Sequence, residues 1–502
     1  MTEHFDVLIV GAGISGIDAA YHLQTRGAHR SFAILEGRGD IGGTWDLFRY
    51  PGVRSDSDMH TLGFSFKPWV HEKAIADGPS IMAYLRETVS EFGIDRHIRF
   101  HHLVRRAEWD SATARWTLIV ERADTGESLT LTCGFLFMCS GYYSYRHGHR
   151  PDFPGEARFG GVVVHPQEWP EDLDHAGRRV AVIGSGATAV TIVPAMAETA
   201  AHVTMVQRTP TWMVARPDKD PIANTLRRLL PGAVAYRITR RKNIRLQQFG
   251  YRMTRTKPEK VRAKLLAMLA EQLPSGYPIE RDFTPTYNPW DQRLCLVPNG
   301  DLFRAISAGR ASVVTGAIDT WTETGIRMTS GEEIPADIIV TATGLELVTI
   351  GDMEVVVDGA PVDFGQTWTY KGVAYSDVPN LASVFGYVNA SWTLRADLVC
   401  SWVCRLLDEM ERTGAVQATP RLRAADHDMA PRPWIADFPA GYIRRALPLL
   451  PKQGDRAPWL NPQTYAGDVA LLEDAPIADG VMQLTGQNAA SYKPMRWASS
   501  SR

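Results

Sequence analysis

Twice along the chain, a continuous apolar run leads directly into glycines and then into a helix-forming stretch. The first run is FDVLIV (5–10), followed by Gly11, Gly13 and Gly16 and a stretch through Tyr21 and Leu23. Such a run suits a parallel strand buried on both faces. A further run, Phe32 to Leu35, ends at Glu36, twenty residues beyond Gly16. Glycines let a backbone approach a pyrophosphate held at a positive helix N-terminus, and an acid at the second strand's end accepts hydrogen bonds from a ribose. Strand, glycines, helix, strand and acid in that order predict a dinucleotide-binding unit.

The second pattern is RRVAVIGSGATAVTIVPAMA (178–197), with Gly184, Gly186 and Ala189 in the glycine positions and Thr188 beside them. Its next strand, HVTMVQR (202–208), ends in Gln207 and Arg208 where the first pattern has an acid. An acid there repels a 2'-phosphate, whereas an arginine pairs with it. The first site therefore suits FAD and the second NADPH.

Length and composition narrow the class. A chain of 502 residues is too long for one ordinary core, and 44% hydrophobic with 22% charged residues is a globular balance. With 54 basic and 56 acidic residues it lacks the basic excess of a nucleic-acid binder. Five scattered cysteines (Cys133, Cys139, Cys295, Cys400, Cys404) contain neither CxxC nor CxxxxC. They read as buried core thiols rather than a disulfide framework, a redox pair or a metal site. Phe5 to Val10 is too short for a signal peptide and carries Asp6, and the uncharged stretch Val180 to Ala197 divides into strand, turn and helix. A cytoplasmic protein, at most peripherally attached to a membrane, is expected.

The pattern between and after these units sets the expected domains. RWTLIVERADTGESLTLTC (115–133) alternates apolar and polar residues around Asp124, Thr125 and Gly126 and reads as a hairpin. FLFMCSG (135–141) and ADIIVTATG (336–344) each read as a buried strand ending at a turn. The expected fold is α/β, with two Rossmann-like domains, the second inserted in the first, and a helical subdomain. The FAD domain is placed at 1–143 and 336–450, and the NADPH domain at 144–214 and 279–335. A helical subdomain falls at 215–278 and a C-terminal extension at 451–502.

The stretch 221–264 holds thirteen Lys or Arg and one acid, Glu259, leaving 41 basic against 55 acidic residues elsewhere. Leu226, Leu229, Leu230, Ile238, Ile244 and Leu246 give it an amphipathic pattern. Two readings stand at this level: contact with a membrane surface, or a solvated basic face near an anionic cofactor.

A chain binding both dinucleotides fits a disulfide reductase, an NADPH oxidase or a monooxygenase, and the missing CxxxxC argues against the first. Two longer motifs bear on the choice. FGGVVVHPQEWP (159–170) presents Phe159, Gly161, His165, Trp169 and Pro170; GTWDLFRYPGVRSD (43–56) presents Gly43, Trp45, Tyr50, Pro51, Gly52 and Asp56. Both resemble fingerprints of the Baeyer–Villiger monooxygenases. The runs VIGSGATAVTIVPA, NPWDQRLCLVPNGDLF and NASWTL are similar to the branch that includes ethionamide-activating enzymes of mycobacteria. Likeness runs from Met1 to about Trp459.

This resemblance implies that reduced FAD takes up dioxygen as a peroxide that must stay deprotonated to attack a ketone carbon. A fixed positive charge stabilises that anion, and arginine keeps its proton. Arg293 is similar in position to the family's active-site arginine, and Asp56 to the acid that holds it. Gly43, Thr44, Trp45 and Asp56 are implied to border FAD. Gln292 stands where a phosphate-binding lysine is frequent, so NADPH preference rests mainly on Arg208, with Thr209. His165 and Trp169 read as residues coupling domain motion to cofactor position. Asn389 and Ser391, ahead of a helix starting near Thr393, are expected to cap it and to set its N-terminus toward the flavin. The implied substrates are dioxygen and a small hydrophobic ketone, with sulfides or thioamides also oxidised. The alternatives are an N- or S-oxidising flavin monooxygenase, which needs a protonated peroxide, and a membrane-binding flavoprotein.

Overall fold

The computed structural model describes residues 2–436 and 440–486. Its chain opens with β1 (Glu3–Val10), α1 (Ile14–Arg26), β2 (Phe32–Leu35), β3 (Ile98–Arg99), β4 (His102–Asp110), β5 (Arg115–Arg122) and β6 (Ser128–Met138). It continues through β7 (Val162–Val164), β8 (Arg179–Ile183), α2 (Ala187–Met196) and β9 (His202–Gln207). Three helices follow: α3 (Pro221–Leu229), α4 (Gly232–Thr256) and α5 (Pro258–Ala270). Then come β10 (Ala311–Thr315), β11 (Ile338–Thr341), β12 (Glu354–Val357), β13 (Leu381–Ser383) and α6 (Thr393–Thr413).

Two main sheets result. The first has nine strands, ordered β12-β4-β5-β6-β1-β2-β3, with Ala360–Pro361 beyond β12 and β13 joined to β6. β1 runs parallel between β6 and β2, and Val7, Leu8 and Ile9 are fully buried there, which is why this segment is uninterruptedly apolar. The hairpin β5–β6 turns at Asp124 to Gly126 as expected, but β6 runs through Gly134 to Met138, so the second arm of the 115–133 hairpin and the strand expected within 135–141 are one.

The second sheet is parallel, ordered β10-β9-β8-β11-β7. This corrects the expected boundary at 336. β11 lies between β8 and β7 in the second sheet, and the chain rejoins the first sheet only at β12. The segments joining the two bodies pair with each other. Val348 N donates to Tyr142 O (3.0 Å), Ser144 N to Glu346 O (2.8 Å) and His149 N to Gly344 O (3.0 Å). Two antiparallel connections thus form one tether.

The tail is also corrected. Residues 451–486 are built into the first body: Lys452–Gln453 pairs with Arg432–Pro433, and Met482–Thr485 with Gln417–Pro420. Arg395 and Asp468, both fully buried, form an ion pair (3.0 Å) between α6 and this segment. The remainder of the expected extension, 487–502, lies outside the described residues. Among the described residues no helix is long and apolar enough to cross a membrane. All five cysteines are buried and unpaired, as their spacing suggested.

Candidate active site

Each glycine turn is made by contacts that only glycine permits. Gly11 has φ +103°, and a Cβ there would lie 2.7 Å from the carbonyl oxygen of Cys139; a Cβ on Gly16 would lie 1.9 Å from Gly11 O. The turn is thereby closed onto the ends of β1 and β6. Gly13 starts α1 with no side-chain cap, leaving first-turn N–H groups for a ligand. It faces Gly43, where a Cβ would stand 3.2 Å from Gly13 Cα, and Thr44 and Trp45 open the short helix Thr44–Leu47 behind that contact. Glu36 is buried at the end of β2, accepting from Ala12 N (2.8 Å) and Arg38 N (2.9 Å). Burial raises its pKa, against the pull of those two N–H groups. A glycine cradle, a bare helix start and a buried acid together fit a dinucleotide with a free ribose.

The second turn repeats the logic. Gly184 has φ +140°, and a Cβ would lie 2.3 Å from Ala342 O; Gly186 starts α2 without a side-chain cap and has nothing within 4 Å of its Cβ position. Ala189 is fully buried where α2 meets its sheet. After β9 the side chains diverge. Gln207 is buried and donates to Asp282 O (2.7 Å) and Thr315 Oγ1 (2.9 Å), so it is structural. Arg208 and Thr209 are exposed beside the turn, and Arg208 has no ion pair among the described residues. That leaves its guanidinium available to a 2'-phosphate.

The motif 43–56 joins the two halves. Gly52 (φ +78°) sits against α2, where a Cβ would come within 2.8 Å of Ala195 Cβ and 3.0 Å of Thr191 O. Tyr50 meets the hydroxyl of Thr188, and burial pushes its phenol up to about 12. Asp56, at the end of this motif, pairs with Arg293 across 237 residues of sequence. Arg293 also donates through Nη1 to Val388 O (2.9 Å), and its guanidinium stands 6.0 Å from the Trp290 ring centre. Burial opposes the charge on Arg293, but Asp56 and neighbouring tyrosines outweigh it and raise its pKa. Gln292 is half-buried beside it.

An aromatic wall that the sequence does not announce surrounds this pair. Tyr142 and Tyr143 share a hydroxyl contact of 2.6 Å, and Tyr142 stacks on Trp392 at 5.3 Å. The doublet follows a buried strand, which is the one local sign of it. Gln463 escapes sequence reasoning as well. It accepts from Val388 N (3.0 Å) and donates to Gly386 O (3.1 Å), holding the loop whose carbonyl fixes Arg293. Nothing local marks Gln463, because the loop it holds lies about 75 residues away.

Two further expectations can be placed in the fold. Asn389 does not cap α6: its Nδ2 donates to Gln463 O (3.1 Å), while Ser391 bonds Thr61 Oγ1 (2.6 Å). The N-cap position is Trp392, in helical conformation and without a side-chain capping bond, its indole N–H donating instead to Ser15 Oγ (2.8 Å), while Asn389 and Ser391 are used by tertiary partners. His165 ends β7, nearly buried, and accepts from Gln167 N (3.2 Å) through Nδ1. Burial lowers its pKa, and Gly148 of the tether packs so tightly on the ring that a Cβ would fall 1.9 Å from Cε1. Trp169 packs on the core of the second body.

Known proteins resemble this chain. The family model described as flavin-binding monooxygenase-like matches residues 5–275. The FAD-containing monooxygenase EthA of Mycobacterium tuberculosis is 52% identical over 480 residues, covering 95% of this chain and 97% of the relative. The putative FAD-containing monooxygenase MymA of the same organism is 49% identical over 487 residues, covering 96% and 98%. Among solved structures, an oxidized steroid monooxygenase bound to NADP superposes with a TM-score of 0.77 at 22% identity, covering 96% of this chain and 100% of that one. At that identity the superposition speaks for the two-domain fold. With its glycine turns and its family match in agreement, the chain belongs to the flavin-binding monooxygenases.

Proposed function

We propose that the chain is an NADPH-dependent Baeyer–Villiger monooxygenase. It converts a small hydrophobic ketone, dioxygen, NADPH and a proton into an ester or lactone, NADP+ and water, and also oxidises sulfides or thioamides. The first body, resumed after β11, holds FAD along Gly11, Gly13, Gly16 and Glu36. The second holds NADPH along Gly184, Gly186 and Thr188, with Arg208 on its 2'-phosphate. Bound FAD supplies the relay of electrons from NADPH to dioxygen.

The observation that carries the reading is the Arg293–Asp56 pair beside the aromatic wall. A guanidinium keeps its charge at any working pH, so it stabilises negative charge on oxygen during transfer. Asp56 and Val388 O hold two of its N–H directions and leave the rest of the fork to a ligand. An enzyme confined to nitrogen or sulfur works through a protonated oxidant and has no use for such a charge.

The test separates reduction from oxygen transfer. Arg293→Ala is expected to bind FAD and consume NADPH while its ester yield falls about 100- to 1,000-fold, with electrons diverted to hydrogen peroxide. Stopped-flow reduction and gas-chromatographic product analysis on one preparation measure both. Ester formation near the wild-type rate would remove Arg293 from the chemistry.

A further inference from the structure

Helices α3 and α4 carry exposed apolar and basic side chains that the chemistry above does not use. α4 buries Tyr236, Thr239, Arg240 and Asn243 against the first body, where Arg240 Nη1 donates to the carbonyls of His60, Thr61 and Gly63. It also exposes Ile238 (43%), Leu246 (58%) and Phe249 (62%); Ile238 and Phe249, eleven residues apart, share one stripe away from that contact, and Leu246 lies to its side. Arg241, Arg245 and Arg252 run alongside them, all exposed and without an ion pair among the described residues. On α3, Ile222 (55%) and Leu229 (74%) stand one above the other, seven residues apart. Beside the arginine row lies a cleft of about 480 Å³, lined by Phe66, Pro68, Tyr236 and Ile244 with Arg237 and Arg241.

We infer that this face docks on an anionic lipid bilayer, apolar side chains entering the interface and arginines meeting headgroup phosphates. Exposed apolar area bordered by unpaired cations is what interfacial binding needs. Charge argues against the other occupants. A second copy in a two-fold contact would set arginine row against arginine row. The chain's own end, 487–502, carries Lys493, Arg496 and Arg502 and no acid.

The test is sedimentation of the FAD-loaded enzyme with vesicles of phosphatidylglycerol and phosphatidylcholine, or of phosphatidylcholine alone, at low and high salt. Binding is expected on the anionic vesicles only, weakening with salt. Because each cation near such a surface is worth about fivefold in partition, R241E/R245E should lose twentyfold or more. L246S/F249S should also detach, and both variants should keep wild-type NADPH oxidation in solution, which shows that they fold. Absence of binding at low salt, equal binding to neutral vesicles, or unchanged binding by R241E/R245E would overturn the inference. So would a concentration-dependent dimer, seen by light scattering, that L246S/F249S dissolves.

Discussion

Asp18 is buried on α1 with neither carboxyl oxygen hydrogen-bonded, 3.7 Å from His22 Nε2. Burial, reinforced by Asp397, pushes its pKa well above the ordinary value. The sign follows from linkage. At pH below about 4 both folded and unfolded chains are protonated here, and the group costs nothing. As pH rises above that, the unfolded chain ionises first, so the fold loses stability until the folded pKa is reached. Asp18→Asn removes this loss. Its denaturant midpoint at neutral pH should rise by the equivalent of about 1–3 kcal/mol, and the gain should vanish near pH 3. Arg208 offers a second single-residue test. Arg208→Ala should weaken NADPH use tenfold or more and leave NADH use nearly unchanged, from the loss of a charge-assisted contact worth roughly 1.5–3 kcal/mol. Equal losses in KM for both coenzymes would remove it from the 2'-phosphate site. Gly11 and Gly16 were legible in the sequence because a turn of this shape excludes side chains there, and Glu36 because it ends the strand that follows. Gln463 and Tyr142 were not, since their roles come from contacts made only after folding.

Elements show the same division between local and distant causes. Each strand–turn–helix unit was readable, because burial on both faces dictates its composition. Which sheet a strand joins was not: ADIIVTATG is equally apolar in either, and only pairing with β8 and β7 assigns β11. α6 starts where expected, yet its expected caps serve Thr61 and Gln463 instead. The loop before α6 depends on that second partner. Gln463→Ala leaves the buried Val388 N–H and Gly386 C=O without partners, each costing about 1–3 kcal/mol. Because Val388 O fixes Arg293, the fraction of NADPH yielding ester should fall, with hydrogen peroxide rising in proportion, while flavin reduction stays near wild type. Gln463→Glu retains the acceptor for Val388 N and should recover part of the coupling.

At the scale of the molecule, the two bodies meet through the 43–56 motif on α2, the tether, and α4 against Met59–Leu62. His165 stands where the tether enters the second sheet, its pKa lowered by burial and its ring clasped by Gly148. His165→Ala or Trp169→Ala should slow oxygenation while FAD stays bound through purification. Loss of flavin absorbance in either variant would show instead that the residue supports the first body's fold.

The paired tether has a consequence for inheritance. The stretch from β7 to β11 leaves the first body and returns to it at one place, strand beside strand. A segment whose ends meet can be gained, lost or exchanged whole, because its replacement need only reproduce a single two-stranded junction. The second glycine turn, at Gly184, and the arginine-lined side of α4 both lie within that segment. On the proposed roles, choice of reductant and choice of surface would therefore pass together from one chain to another, as a single heritable module, while the turn at Gly11 stays behind.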